Sequence, residues 1–324
     1  MGNEGSDLRP LGQTDLRVTP IGLGVMQFSG TAGFFRFIFN DMQQPQMDEI
    51  VRAALEGGIN WFDTAEMYGG GRSERGLATA LKHAGKADAE VRVATKWSPM
   101  LRTARNIPRT IGTRMANLDP YTIDLYYIHQ PWGFSSPEDE MNAMADLVEA
   151  GKIRAVGVSN FNAGRMRRAA AALEKRGLKL AANQVQYSLV HREIESNGVL
   201  EAARELGVTI VAWGPLASGL LTGKFHRDPD ALARTPFARR RRMQAQLQAT
   251  EPLIQALERI GSRYEATPSQ VALNWVIHNQ GESVVAIPGA SNVQHAREAA
   301  RVMDFKLSPE ELDELGQIPR DIEH

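Results

Sequence analysis

Apolar and polar positions along the chain alternate between two spacings. Short runs rich in β-branched and aromatic residues occur at 18–26 (VTPIGLGVM), 59–63 (INWFD), 91–96 (VRVATK) and 123–129 (IDLYYIH). Four more follow at 153–159 (IRAVGVS), 183–188 (NQVQYS), 208–214 (VTIVAWG) and 283–289 (SVVAIPG). Between them lie stretches such as PQMDEIVRAALEGG (45–58) and PEDEMNAMADLVEAGK (137–152), whose apolar residues recur at helical spacing. Several of these stretches stop on glycine before the next run, at Gly57–Gly58, Gly151, Gly177 and Gly207. Strands alternating with helices predict parallel strands joined by crossovers. Eight such units predict an α/β fold, a (β/α)8 TIM barrel, whose usual size is about 250 residues. The surplus falls in two places. LRPLGQTDLRVTP (8–20) reads as a small hairpin plugging the bottom of the barrel, and a long loop runs from Lys224 to about Thr250 after the seventh strand. With no low-complexity linker, residues 1–324 read as a single domain.

Composition narrows the function classes. The chain is 43% hydrophobic and 23% charged, as expected of a globular protein with a substantial core. A formal net charge of -1 gives no footprint for nucleic acid or an anionic membrane. The absence of cysteine excludes disulfides, thiol catalysis and cysteine-ligated metals. The polar N-terminus lacks a signal-peptide core, and Gly2 with Ser6 meets only the minimal myristoylation spacing. No apolar run approaches the roughly 20 residues a membrane helix needs. The expectation is a cytoplasmic protein without nucleic-acid or membrane partners, its oligomeric state open. Two nucleotide motifs fail. GLGVMQ (22–27) places Gln27 at the third glycine of a dinucleotide fingerprint. ASGLLTGKF (217–225) has Ser218 for the first P-loop glycine and Phe225 for its Ser or Thr.

In a barrel of this type chemistry gathers at the carboxyl ends of the strands. The second strand ends in Asp63, the third in Lys96 and the fourth in His129, with Tyr68 in the loop after the second. Singly, Asp63 also reads as a helix N-cap, Lys96 as a solvated strand end, Tyr68 as a rim aromatic and His129 as a core histidine. These readings weaken together, because the fold would place all four at one end in neighbouring units. A lysine ammonium beside a phenol favours the phenolate and lowers its pKa, and a carboxylate keeps the lysine charged. Such a tyrosine is a general acid for a carbonyl oxygen, and the histidine can orient that carbonyl. No side chain provides hydride, which a nicotinamide cofactor must bring.

These residues resemble those of the aldo-keto reductase superfamily, and the resemblance covers nearly the whole chain. INWFDTAEMYGGG with the following SE is similar to the family's aspartate–tyrosine signature, VATKW to its lysine strand and DLYYIHQP to its histidine strand. GKIRAVGVSNF and NQVQYSLVHRE resemble the nicotinamide-holding stretches, and WGPLASGLLTGKF and AIPGASN those for pyrophosphate and adenine ribose. The resemblance implies NADPH-dependent reduction of aldehydes and ketones, with Tyr68 as general acid, Lys96 and Asp63 tuning it and His129 polarising the carbonyl. Neither metal nor flavin is required.

The resemblance also implies the cofactor contacts. Ser159, Asn160 and Gln184 would bond the carboxamide, and Trp213 would stack on the ring, as in the potassium-channel β-subunit branch; the other reading of Trp213 is core packing. Gly24, Val25, Met26, Asp63 and Ile287 would also contact the cofactor. The pyrophosphate would fall to Gly214, Pro215, Leu216, Ser218, Gly219, Leu221, Gly223 and Lys224. Gly289, Ala290 and Ser291 would meet the ribose phosphate, and His295 and Glu298 the adenine. His295 and Ala299 depart from that branch's pattern, which leaves adenine contacts and the preference for NADP over NAD open. Arg297, or one arginine of the run at 239–242, could bind the 2′-phosphate, or both could be solvated helix positions. For substrate, Phe28, Trp97 and Trp132 suggest an apolar pocket, with Phe34, Phe35, Phe37 and Phe39 nearby. Two rival readings remain. One is a Schiff-base enzyme with Lys96 as nucleophile. The other is a nucleotide-sensing regulatory subunit with little turnover.

Overall fold

A computed structural model describes residues 8–31, 41–233 and 237–318. Its first strands, β1 (Arg9–Pro10) and β2 (Arg17–Val18), pair antiparallel, so 8–20 does form a hairpin. The main sheet runs β3 (Leu23–Gly24), β4 (Trp61–Asp63), β5 (Arg92–Trp97), β6 (Leu125–Ile128), β7 (Ala155–Ser159), β8 (Leu180–Gln186), β9 (Thr209–Trp213) and β10 (Val284–Ala286). Each pairs parallel with its sequence neighbour. Parallel bridges from Ile21 to Ala286 and from Gly24 to Gly289 join the two edges, giving the expected (β/α)8 TIM barrel. The predicted first strand, 18–26, is two elements: Val18 belongs to the hairpin, and Leu23–Gly24 enters the barrel beyond Pro20, whose ring supplies no ladder donor.

The connecting helices include α1 (Gln44–Glu56), α2 (Arg72–His83), α3 (Ile107–Leu118), α4 (Pro137–Glu149), α5 (Ala163–Glu174) and α6 (Val199–Leu206). Local chemistry sets their starts. Ser136 accepts the Asp139 N–H ahead of an acidic first turn in α4, and Asn162 accepts that of Arg165 before α5. The segment after β9 is itself helical, with α7 (Lys224–Arg227), α8 (Pro229–Ala233) and α9 (Phe237–Gly261) where a loop was expected. Then come α10 (Pro268–His278), α11 (Val293–Arg301) and α12 (Pro309–Gln317). Among the described residues no helix is long and apolar enough to cross a membrane.

Strand parity divides the core in two. Outward side chains such as Phe62, Val93, Ile128 and Val158 pack under the helices. Inward ones, among them Trp61, Ala94, Leu125, Tyr127 and Val211, fill the barrel together with Leu11, Leu16 and Val18 of the hairpin. The hairpin is thus the floor of the barrel. Below that floor Arg9 donates to Ile277 O at 2.6 Å and to Val284 O at 2.5 Å. With one end closed by apolar packing, the polar inward positions are left for the other.

Candidate active site

The four sequence-predicted polar residues meet at the carboxyl ends of β4, β5 and β6. Asp63 is the last residue of β4, and its register partner on β3 is Gly24. Lys96, one residue before the end of β5, is fully buried. Its ammonium donates to Asp63 Oδ1 and, at 2.8 Å, to Thr64 O. Gln184 Nε2 donates to the other Asp63 oxygen at 2.9 Å. Tyr68 lies over this pair, its ring centroid 5.1 Å from Lys96 Nζ, and the two side chains share a hydrogen bond. His129 meets the Tyr68 ring edge-on, with centroids 5.8 Å apart.

The backbone that carries Tyr68 is bent by three consecutive glycines, as the sequence suggests. Gly69, Gly70 and Gly71 have φ of +64°, +61° and +86°, and only then does α2 begin. Thr64 Oγ1 donates to Ser73 Oγ, which donates to Val25 O, tying both ends of this loop to the β3 side of the barrel.

Burial dominates the electrostatics. It raises the Asp63 carboxyl, while the Lys96 charge and hydrogen bonds pull it down. Burial works against the Lys96 charge, yet Asp63 and Tyr68 together lift the amine above its ordinary value, so the ammonium persists. Burial and the neighbouring Lys96 charge push His129 down to about 3, leaving a neutral imidazole. For Tyr68 the outcome corrects the sequence expectation: Lys96 does pull the phenol down, but burial outweighs it and the net shift is upward. The phenol therefore keeps its proton across the neutral range.

Residues assigned to a cofactor line the next strand ends. Ser159 and Gln184 are register partners across β7 and β8, and Ser159 Oγ donates to Gln184 O at 2.9 Å. Asn160, at φ +58°, donates to Ser159 Oγ and Gln130 Oε1 and accepts the Trp213 indole N–H at 3.0 Å. Trp213 is half-buried against the barrel-filling cluster, so it packs as core while keeping an exposed part. Beyond it, Gly214 turns the chain and Pro215 is buried. A turn at Ser218 and Gly219, both at positive φ, leads past buried Leu221 to Gly223 and the exposed Lys224. Leu216 packs partly against the core. Across the seam Gly24 bridges Gly289, where a Cβ on Gly24 would lie 3.1 Å from Ile287 O and one on Gly289 would lie 2.3 Å from Gln27 Nε2. Val25, Ile287 and Ala290 are buried there, and Met26 is partly exposed. Ser291 and His295 contact each other at 3.1 Å on the exposed start of α11, and Glu298 accepts from Gln294. These side chains offer an amide-binding set, a flat aromatic and a glycine-lined turn with a cation, which suits a dinucleotide.

The substrate expectations divide. Trp132 is 68% exposed on the loop after β6. Trp97 is fully buried, and so is Phe28, both in the outer core. Strand parity explains the correction: Lys96 points into the barrel, so Trp97 beside it points out, where its indole bonds Asn106. Phe34, Phe35, Phe37 and Phe39 lie outside the described residues. Of the arginine run, Arg241 is exposed and Arg240 donates to Ala233 O, while the side chains of Arg239 and Arg242 lie outside the description. Arg297 is exposed on α11. Sequence reading missed Gln130, the acceptor for Asn160. It also missed a buried charge cluster of Glu66, Glu74 and Arg114 beside the Tyr68 loop. Glu66 had a signal, since it stands within the aspartate–tyrosine stretch.

Comparison with known proteins shows the family. Residues 20–319 match the family model of the aldo/keto reductase family. An uncharacterised oxidoreductase of Mycobacterium tuberculosis is 36% identical over 308 residues, covering 94% of this chain and 90% of that one. The NADP(+) aldo-keto reductase yakc of Schizosaccharomyces pombe is 31% identical over 303 residues, covering 88% and 87%. The structure of a Klebsiella pneumoniae aldo/keto reductase in complex with NADP and acetate superposes with a TM-score of 0.71 at 25% identity, covering 96% and 95%. With its barrel, its strand-end polar group and this family match, the chain belongs to the aldo/keto reductase family and is an NAD(P)H-dependent oxidoreductase acting on carbonyl compounds.

Proposed function

We propose that this chain, as one domain, uses NADPH to reduce aldehydes and ketones to alcohols, with Tyr68 as the proton donor. The observation that carries this reading is the buried Asp63–Lys96–Tyr68 group with His129 at its edge. The bound nicotinamide supplies the hydride. Tyr68 protonates the carbonyl oxygen, and the adjacent ammonium stabilises the phenolate that results. Asp63 keeps Lys96 charged and fixed, with Gln184 holding the carboxylate from its other side. His129 stays neutral, and its Nδ1 is buried without a hydrogen-bond partner, so Nε2 is the nitrogen that donates to the carbonyl. Ser159 and Asn160, with Gln184, orient the carboxamide and so select the reacting face of the ring. Trp213 stacks on the ring, the 214–224 turn takes the pyrophosphate, and Gly289 to Ser291 with His295 and Glu298 take the adenosine end. The NADP(+) relative and the NADP-bound structure support NADP over NAD. Exposed Trp132 and Phe134 on the β6 loop suit substrates with an apolar body. The state of Lys96 argues against Schiff-base chemistry, which needs a neutral amine.

The test is NADPH oxidation against a panel of aldehydes and ketones, with Tyr68→Phe as control. Loss of the phenol is expected to lower kcat by about 10²- to 10⁴-fold, the usual range for general acid catalysis. Undiminished turnover in Tyr68→Phe would overturn the proton-donor assignment.

A further inference from the structure

We propose that Arg114, on α3 outside the barrel, is a positioning residue that fixes the loop carrying Tyr68; this rests on the reading of Tyr68 as proton donor. Two carboxylates flank Tyr68 in the chain, Glu66 two residues before it and Glu74 six residues after. Both are buried, at 6% and 0% exposure. Arg114, itself 7% exposed, bridges them, with Nη1 donating to Glu66 Oε2 at 2.6 Å and Nε lying 2.9 Å from Glu74 Oε2.

Each carboxylate also reaches the β5 side, where Lys96 is displayed. Glu66 Oε1 accepts the Ser98 N–H at 2.6 Å, and Glu74 Oε1 accepts the Thr95 hydroxyl at 2.8 Å. The two ends of the Tyr68 loop are thereby fastened to the segment that sets the lysine. A single guanidinium fork spans both fastenings, hydrogen-bonded to Glu66 through Nη1 and held to Glu74 by charge, since Nε makes no hydrogen bond; the compact charge of an ammonium does not span that separation. The charges balance as Glu66 and Glu74 against Arg114 and Arg102, but the Arg102 side chain is 38% exposed while that of Arg114 is 8%. Arg114 is thus the cation that compensates both carboxylates within the buried cluster. Burial already raises Glu74, and Arg114 is the largest influence opposing that rise. Without the guanidinium the two carboxylates repel and the loop relaxes. Tyr68 then leaves its place beside Lys96 and His129. Displacements on the order of 1 Å at reacting groups cost about 10²-fold in rate.

Ser159, Asn160, Gln184 and Trp213 stand at the ends of β7 to β9 and the 214–224 turn follows them, whereas Gly24 to Met26 and Asp63 adjoin the Tyr68 loop. Most of the cofactor site thus lies on other strands, and NADPH affinity separates positioning from general damage. In Arg114→Met, kcat is expected to fall about 10- to 100-fold, with the NADPH Kd, read by fluorescence titration, within about twofold of the parent. Arg114→Lys, which keeps a charge but loses the fork, is expected to recover only part of kcat, and it is the readable variant if Arg114→Met does not fold. A folded variant with parental kcat overturns the proposal. So does one that loses kcat and NADPH affinity together, since that marks a merely structural role. Tyr68→Phe is measured alongside. If it stays active, the proton-donor reading fails; if it is inactive while the Arg114 variants keep full kcat, only the positioning role fails.

Discussion

Replacing Lys96 with methionine separates the stability of the buried charge pair from its chemistry. In the native protein Lys96 has no solvent exposure and Asp63 is 2% exposed, so neither charge has water to fall back on. Lys96→Met leaves the Asp63 carboxylate with Gln184 as its remaining donor and orphans the Thr64 carbonyl. Breaking a buried pair by removing one partner costs about 3–5 kcal/mol. Asp63→Asn/Lys96→Met removes both charges, keeps an acceptor for Gln184, and leaves mainly the Thr64 carbonyl unsatisfied, worth about 1–3 kcal/mol. The double variant is therefore expected to be more stable than the single by about 2 kcal/mol at pH 8, taken as the difference of those two ranges. The deficit of the single variant should also depend on pH. Burial raises Asp63 above 3.8, and loss of the Lys96 charge raises it further. A raised carboxyl contributes fully to stability below its unfolded value, and that contribution is lost as pH rises through the folded value. The single variant should accordingly be closer to the parent near pH 4 than at pH 8. Urea unfolding followed by tryptophan fluorescence at both pH values reads this, and NADPH oxidation reads the chemistry. Both variants should lose about 10²-fold or more in kcat, because neither keeps the ammonium beside Tyr68. A double variant no more stable than the single would refute the charge-pair account, and one that regained turnover would refute the need for the ammonium.

Two further outcomes follow from buried groups. Glu140 on α4 is fully buried, both its oxygens lack hydrogen-bond partners, and burial pushes its carboxyl up from 4.5 to about 7. Its contribution is thus complete below pH 4.5 and lost as pH rises through about 7, so Glu140→Gln should gain up to about 3 kcal/mol more stability at pH 8 than at pH 4; an equal change at both pH values in urea unfolding would count against burial as the cause. His129, at about 3, should contribute no ionisation to the kcat/KM profile between pH 5 and 8, while His129→Gln lowers kcat by about 10²-fold. A limb near pH 6.5 that disappears in that variant would show an imidazole that titrates after all.

The strand ends were legible because each follows an apolar run with a polar residue, and a barrel gives such positions one meaning. Asp63, Lys96 and His129 met at the mouth for that reason, and the glycines after Tyr68 took the left-handed turns their run suggested. Trp97 misled because adjacency in sequence was read as adjacency in space, whereas neighbours on a strand face opposite sides. The direction of the Tyr68 shift misled because a neighbouring charge can be read from sequence, but the depth at which it acts cannot. The same gap hid the cluster behind the Tyr68 loop. Glu66 and Arg114 are 48 positions apart and join elements whose mutual placement only the closed barrel sets. Arg114 sits in IPRTIGTRMANL, where helical spacing places it on the same face as Ile107, Ile111 and Leu118, so its burial had a signal that its charge masked. A charge becomes informative only once its burial is known, because burial makes an unpaired carboxylate costly and so forces a partner upon it. The barrel pattern locates the reacting groups, and the buried counter-charges around them fix where those groups stand.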